Sequence, residues 1–303
     1  MDSRLRGNDD MWAAMTRLTK SYAEVIGDPI AHSKSPLIHG FWLEKLGIDA
    51  RYERCHVKPE GLADYIAVRR EDAAWCGCNV TIPHKQAVMP LLDRLDPTAE
   101  KIGAVNTVVR DADGRLTGYN SDSPGFLEPL RPLLADRHLF RMARVVGSGG
   151  AARAVVHALA GEGFTVAMIA RDIGKALAIL GEVDPEAPDS MVASLEDWRK
   201  PLDFDWGDCE GRLDVVVNAT SLGMTGYPPL DIDFSHVPPD AIVYDIVYAP
   251  LETPLLAEAR RRGLQTIDGL EMLIGQAAVA FAHFFDHPAP RDYDAELRAL
   301  LTS

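Results

Sequence analysis

The chain has 303 residues, 47% of them hydrophobic, enough to bury a large core and to favour two domains over one. Its formal net charge of −14, with no block of Lys and Arg, argues against nucleic acid or an anionic membrane as partner, and no apolar run approaches the roughly eighteen residues that span a bilayer. A small-molecule enzyme or a protein-binding domain remains.

Four cysteines are present, Cys55, Cys76, Cys78 and Cys209. The Cys76/Cys78 spacing suits neither a redox pair nor a zinc pair, and no Cys/His cluster completes a tetrahedral site, so the thiols read as free in a reducing cytoplasm. The segment 1–20 mixes charges at Arg4, Arg6, Asp9 and Asp10 without an apolar core. It reads as a disordered extension or an early translation start, not a signal peptide.

Ordered structure is expected from Tyr22. A short strand, Ala23 to Ile26, ends at the turn signal Gly27-Asp28-Pro29-Ile30, and a polar stretch then leads into the helical pattern Leu37, Ile38, Phe41, Trp42, Leu46. Ser35 before Pro36 reads as an N-cap. Ser33 has no such duty, and two hydroxyls two residues apart suit a polyhydroxylated ligand. His32 and His39 read as locally hydrogen-bonded.

Tyr52 to Val57 is the next strand, followed by a helix from Pro59 to Arg70 and a strand from Ala74 to Val80. Strands alternating with helices indicate a parallel sheet whose ligands lie beyond the carboxyl ends of the strands. At one such end stands Asn79-Val80-Thr81-Ile82-Pro83-His84-Lys85. Pro83 reads as the first residue of a helix, placing Lys85 in its first turn, where unpaired N–H groups encourage a cation to release its proton. By position alone, a solvated surface lysine is the plainer alternative. Gly103 to Val109 and Leu116 to Asp122 then form a hairpin that brings Asn106 near Asp122. Asp122 serves equally well as the N-cap of the following helix.

A second α/β unit opens with Gly147-Ser148-Gly149-Gly150-Ala151-Ala152, a G-x-G-x-x-A loop between an apolar strand and a helix through Leu159, with the next strand at Phe164 to Ile169. That order makes it a dinucleotide fingerprint, with the pyrophosphate on the helix N-terminus. After the second strand come Ala170-Arg171-Asp172 and Lys175. Two cations against one carboxylate favour NADP over NAD, with Asp172 either pairing with Lys175 or facing the phosphate. From Leu180 to Cys209 the pattern is weak, apart from a helix around Leu195 to Trp198. Strands at Leu213 to Val217 and Ala241 to Val247 end at Asn218 to Met224 and at Tyr248-Ala249-Pro250, facing the cleft, and a helix from Pro254 to Arg262 closes the unit. The last helix follows Asp268-Gly269-Leu270 and carries the core stripe Leu270, Leu273, Ile274, Ala277, Phe281. Gln276 lies beside that stripe, one turn past Met272, and wants a polar partner.

Taken together, Gly27 to Pro36, Asn79 to Lys85, Gly103 to Thr107, Asn120-Ser121-Asp122, Gly147 to Ala154, Asn218 to Met224, Tyr244 to Pro250 and Asp268-Gly269-Leu270 with Gln276 resemble the shikimate dehydrogenase family, from about Tyr22 to the C-terminus. The resemblance implies two α/β domains with a cleft between them. A substrate-binding, catalytic domain with a mainly parallel sheet spans 21–122, a Rossmann-like NADP-binding domain spans 123–268, and helices in 269–303 pack back on the first. The implied activity is the reversible NADPH-dependent reduction of 3-dehydroshikimate to shikimate, on the route to chorismate and the aromatic amino acids, in a cytoplasmic monomer or homodimer without a metal. Lys85 and Asp122 would be the proton-transfer pair, with Asp122 opposing the helix-end effect on the lysine. Ser33, Ser35, Asn79, Thr81, Asn106, Tyr248 and Gln276 would bind the substrate. Gly147, Ser148, Gly149, Gly150, Ala151, Arg171, Asp172, Lys175, Thr220, Gly269 and Met272 would form the cofactor side. Two alternatives stand beside this reading. An NAD-preferring quinate/shikimate dehydrogenase is opposed by serine at both 33 and 35, and a non-catalytic ligand-binding relative by the presence of both Lys85 and Asp122.

Overall fold

A computed structural model describes residues 20–185, 189–203 and 211–303. The expected extension, apart from Lys20, and the thiol of Cys209 lie outside the described residues.

The first unit contains β1 (Ser21–Gly27), α1 (Ser35–Leu46), β2 (Ala50–His56), α2 (Leu62–Arg70), β3 (Trp75–Val80), β4 (Arg94–Leu95), α3 (Pro97–Ile102), β5 (Thr107–Arg110) and β6 (Leu116–Tyr119), and α4 (Asp122–Leu127) leads from it into the second unit, burying Phe126 and Leu127 in that unit's core. Its sheet runs β2-β1-β3-β5-β6-β4. β1 pairs in parallel with both β2 and β3, whereas β5 is antiparallel to β3 and β6. The second unit contains α5 (Arg131–Leu134), β7 (Phe140–Val146), α6 (Gly150–Gly161), β8 (Thr165–Ala170), α7 (Ile173–Val183), β9 (Met191–Ser194), β10 (Arg212–Asn218), β11 (Ile242–Asp245), α8 (Pro254–Arg261) and β12 (Gln265–Ile267). Its sheet, β12-β11-β10-β7-β8-β9, is parallel throughout. Two helices follow, α9 (Gly269–Phe285) and α10 (Asp294–Thr302).

Continuous apolar runs make the central strands because a parallel sheet is covered on both faces. Val145, Val215 and Val217 pack with Ala152, Val155, Val156 and Leu159 of α6. Their strand neighbours Val146 and Val216 point the other way, to Leu255, Leu256 and Ala259 of α8. Helix α9 returns to the first sheet, burying Leu270, Ile274, Ala277, Phe281 and Phe284 with Ala23, Val25, Ile38 and Trp42, while its Met272 enters the core of the second unit. α9 also crosses α4 so closely that a Cβ on Gly125 would stand 2.7 Å from the Gln276 Cα. Only glycine permits that approach.

Several local expectations are corrected. After β3 the chain does not enter an α-helix at Pro83 but makes turns, with a single 3-10 turn at Met89–Leu91. The reason lies in where its backbone groups go. The Thr81 N–H donates to Ile26 O (2.9 Å), Ile82 O accepts from the Asp28 N–H (3.0 Å), and Lys85 O accepts from the Val105 N–H (2.8 Å), so neighbouring segments take what a helical ladder would have used. The N-cap of α1 is Lys34, and instead of Ser35 capping, the Ser33 hydroxyl accepts from the Ser35 N–H (3.3 Å). Ser121, not Asp122, is the N-cap residue of α4. Around Leu195 to Trp198 there is only a 3-10 turn, Asp197–Arg199, and the short strands β9 and β12 carried no sequence signal strong enough to mark them. His39 is not locally hydrogen-bonded: its ring nitrogens have no partner among the described residues, and it stacks on Tyr52 with centroids 3.9 Å apart. Burial pushes its pKa down to about 3, so it is neutral. His32 is exposed.

Candidate active site

The end of β3, the start of α1, the β5/β6 hairpin and α4 converge on one polar cluster. The hairpin register, Thr107 opposite Tyr119, sets Asn106 beside the residues that lead into α4. The Asn106 side-chain amide donates to Asp122 Oδ1 (2.8 Å) and Ser121 Oγ (2.9 Å), and its Oδ1 accepts from the Ser121 N–H (2.7 Å). Lys85 Nζ donates to Asp122 Oδ2 as a salt bridge, the two side chains being only 14% and 7% exposed. With little water to screen it, this attraction exceeds that of a surface pair, and the second carboxylate oxygen is fixed by a neutral donor. The hairpin therefore aims Asp122 at Lys85. The lysine is thus a paired, secluded ammonium and not a solvated one.

Asn79 and Gln276 reach the Asn106–Ser121 side of this pair, and Ser35 joins the cluster through the Tyr52 phenol that meets Asn79. The Ser33 hydroxyl donates to Ser35 Oγ (3.2 Å). Asn79 spends both amide hydrogens internally, on Asn106 O (3.3 Å) and Thr107 Oγ1 (3.1 Å), and its Oδ1 accepts from the Tyr52 phenol (2.5 Å). One lone pair on that oxygen is left for a ligand hydroxyl. Thr81 is partly exposed, and its hydroxyl has no partner among the described residues. Gln276 donates to Leu273 O (2.9 Å) while its Oε1 stands 3.5 Å from Ser121 Oγ. Tyr52 and Thr107 were not anticipated. The β2 pattern marks Tyr52 as inward-facing, but nothing in the sequence says that its hydroxyl meets Asn79.

On the opposite wall, Gly147 adopts φ +128, a conformation side chains resist, and a Cβ there would stand 2.9 Å from Ala219 O. Thr220 lies against that glycine, its own hydroxyl donating to Asn218 Oδ1 (2.7 Å). Gly149 caps α6 without any side-chain hydrogen bond, and a Cβ placed on it meets nothing within 4 Å. Ser148 is half-buried, and Ala151 stands in the first turn of α6. Open space over a glycine, next to free helix N–H groups, is what a pyrophosphate needs. Gly150 closes the wall toward the lysine: a Cβ on it would sit 3.4 Å from Lys85 Cβ and Cδ. Arg171 and Lys175 are exposed at the end of β8, and neither makes an ion pair among the described residues. Asp172 caps α7, its Oδ1 accepting from the Lys175 N–H (3.0 Å), so its partner is the Lys175 backbone and not the ammonium. Gly269 has no room for a side chain, since a Cβ would lie 2.5 Å from Val247 O, and Met272 is buried in the core below.

Tyr248 reaches from the second unit to the Lys34 backbone, beside the serine pair, and burial raises its pKa. The loop that carries it is organised by Asp245, fully buried, which accepts from Asn218 Nδ2 (2.9 Å), the Val247 N–H (3.0 Å) and Thr253 Oγ1 (2.7 Å). Desolvation outweighs these donors and pushes its pKa up to about 6, from an ordinary 3.8. Between those values the folded state holds a proton that the unfolded chain has released. Stability therefore falls as pH rises through the window, by about 3 kcal/mol, and is flat above it. Asp245→Asn removes this titration. In chemical denaturation at pH 4 and pH 7, wild type should lose about 2 kcal/mol relative to the variant on going to the higher pH; a constant difference would refute the assignment.

Comparisons with known proteins converge. A family model described as the shikimate dehydrogenase substrate binding domain matches residues 25–108, and one described as the shikimate 5'-dehydrogenase C-terminal domain matches residues 269–296. The chain is 53% identical over 283 residues to the shikimate dehydrogenase (NADP(+)) of Sphingopyxis alaskensis, covering 93% of this chain and 97% of that one. It resembles the shikimate 5-dehydrogenase of Thermus thermophilus solved in complex with NADP(H) and shikimate, at TM-score 0.76 and 35% identity over 93% of this chain and 99% of that one. It also resembles the Listeria monocytogenes shikimate 5-dehydrogenase solved with shikimate and NAD, at TM-score 0.78 and 30% identity over 98% and 99% of the two chains.

Proposed function

The chain belongs to the shikimate dehydrogenase family, and we infer that the buried Lys85–Asp122 pair is its proton-transfer device. The protein is an NADP-dependent oxidoreductase that interconverts 3-dehydroshikimate and shikimate, a step toward the aromatic amino acids. The observation that carries the mechanistic reading is the position of that pair, facing the N-terminus of α6 across Gly150. No helix among the described residues is long and apolar enough to cross a membrane.

When bound beside the Gly147–Ala151 loop, NADPH would supply a hydride for the ring carbonyl carbon. The protein's part is to hold the ring and manage the proton. Lys85, kept in place by Asp122, stabilises the alkoxide that develops on the carbonyl oxygen and gives it a proton; in the oxidative direction it takes the hydroxyl proton back. Ser33, Ser35, Thr81, Gln276 and the spare lone pair of Asn79 supply donors and acceptors for the ring hydroxyls and carboxylate, Asn106, its amide committed to Ser121 and Asp122, borders the ring while holding the carboxylate that pairs with Lys85, and Tyr248 closes over them. The Gly147–Ala151 loop, with Thr220 behind it, cradles the pyrophosphate, while Gly269 and Met272 shape the floor. Arg171 and Lys175 hold the 2′-phosphate, with Asp172 committed to capping α7. We assign 21–122 and 269–303 to substrate binding and 123–268 to the cofactor. Free thiols at Cys55, Cys76 and Cys78 fit a reducing cytoplasm.

A two-by-two measurement of kcat/KM, shikimate or quinate with NADP+ or NAD+, tests the reading. Shikimate with NADP+ should exceed each other combination by about tenfold or more. A maximum at quinate with NAD+ would replace it.

A further inference from the structure

Arg153 is a charged side chain buried to 8% exposure, outside every role assigned above. It stands in the first turns of α6, the positive end of a helix and a poor place for a cation. Burial of a guanidinium is costly unless its donors are met. Two of its donor groups are met, one of them by the other unit. Nε donates to Ile102 O, the last carbonyl of α3, and NH2 donates to Glu182 of α7 (2.5 Å). The guanidinium lies over Gly103, the left-handed C-cap of α3 with φ +67, where any side chain would collide with it. At the carbonyl end of α3 its charge is welcome. Beside it, Ala154 packs on Ile102 and Ala104, an apolar contact too small to fix a register alone.

The anchored segment leads straight to the reacting groups. Two residues past Gly103, the Val105 N–H holds the Lys85 carbonyl (2.8 Å), and the next residue, Asn106, holds Asp122. No other ionisable side chain among the described residues bonds to Lys85 or Asp122. We propose that Arg153 is a positioning residue for the reaction, fastening the cofactor helix to the 102–106 segment that holds both Lys85 and Asp122. It sets the distance between the nicotinamide side of the cleft and the proton donor without touching either ligand. The proposal rests on the reading of Lys85 and Asp122 as the proton-transfer pair.

The test uses the intact chain carrying Arg153→Met, which keeps length but loses charge and donors, and Arg153→Lys, which keeps one donor. Kd for NADP+ alone and for shikimate alone is read by calorimetry, kcat by NADPH formation, and folding by thermal denaturation. Arg153→Met should bind each ligand within about threefold of wild type while kcat falls between about tenfold and a hundredfold, because small misplacements of reacting groups have effects of that size. Arg153→Lys should recover part of the loss. Combined with Lys85→Ala, Arg153→Met should add no further loss in kcat, since it acts through that residue. Wild-type kcat in Arg153→Met, or a loss that only follows weaker binding of the single ligands, would overturn the proposal, as would an additive double variant. Where Arg153→Met does not fold, Arg153→Lys decides: a loss of about threefold or more in kcat at unchanged ligand affinity supports the role, and full kcat overturns it. Full turnover in Lys85→Ala alone would instead remove the reading on which the proposal rests.

Discussion

Replacing Lys85 with alanine should lower kcat for shikimate oxidation by about a thousandfold, within the range that one positioned acid or base contributes. Shikimate affinity should change far less, because the ring is held by hydroxyls and amides from Ser33, Ser35, Thr81, Asn79 and Gln276. The substitution also strands the Asp122 carboxylate, which is buried and retains, among the described residues, only the Asn106 amide as a side-chain partner. Uncompensated buried charge is strongly destabilising, so a lower Tm is expected as well, and kcat must be measured well below the variant's Tm. Binding by calorimetry separates the cases. Wild-type turnover would remove Lys85 from the chemistry, whereas lost binding with preserved kcat would make it a ligand contact only.

Gly149→Ala is the second large effect, and it should leave the fold untouched. Gly149 has φ −95 and ψ −175, extended backbone open to any residue, and a Cβ there meets nothing within 4 Å. In the ligand-free protein alanine is therefore neutral or slightly stabilising, since it restricts the unfolded chain. The methyl group instead occupies the space over the α6 N-terminus that the pyrophosphate requires. NADP+ should bind about a hundredfold more weakly, with Tm within a degree or two of wild type and shikimate affinity unchanged. An unchanged Kd for NADP+ would place the pyrophosphate elsewhere.

Much of this site was legible in residue order. The G-x-G-x-x-A loop is local, lying within one strand-turn-helix, and the backbone it demands is built by Gly147 itself. The Ser33/Ser35 pair was marked by residue type and place at a strand end, whereas Lys85 and Asp122, by position alone a surface lysine and a possible cap, were named together only through the family resemblance. Local propensity misled after Val80, where Pro83 suits a helix but the neighbouring segments at Ile26, Asp28 and Val105 take the backbone groups. It misled again at Ser35 and Asp122, good capping residues whose side chains serve the cleft instead.

The sequence by itself determined which chemical groups are available, the alternation of strands and helices, and the glycine loop, because periodicity and turn chemistry act over a few neighbouring residues. Tertiary structure alone decided the pairing of Lys85 with Asp122, thirty-seven positions apart, the Tyr52 phenol on Asn79, and the reach of Arg153 to Ile102. Those contacts depend on sheet order, hairpin register and the packing of α6 against α3, which set side chains from distant segments within hydrogen-bond reach. No local pattern encodes such distances, since they emerge only when two cores are buried against each other.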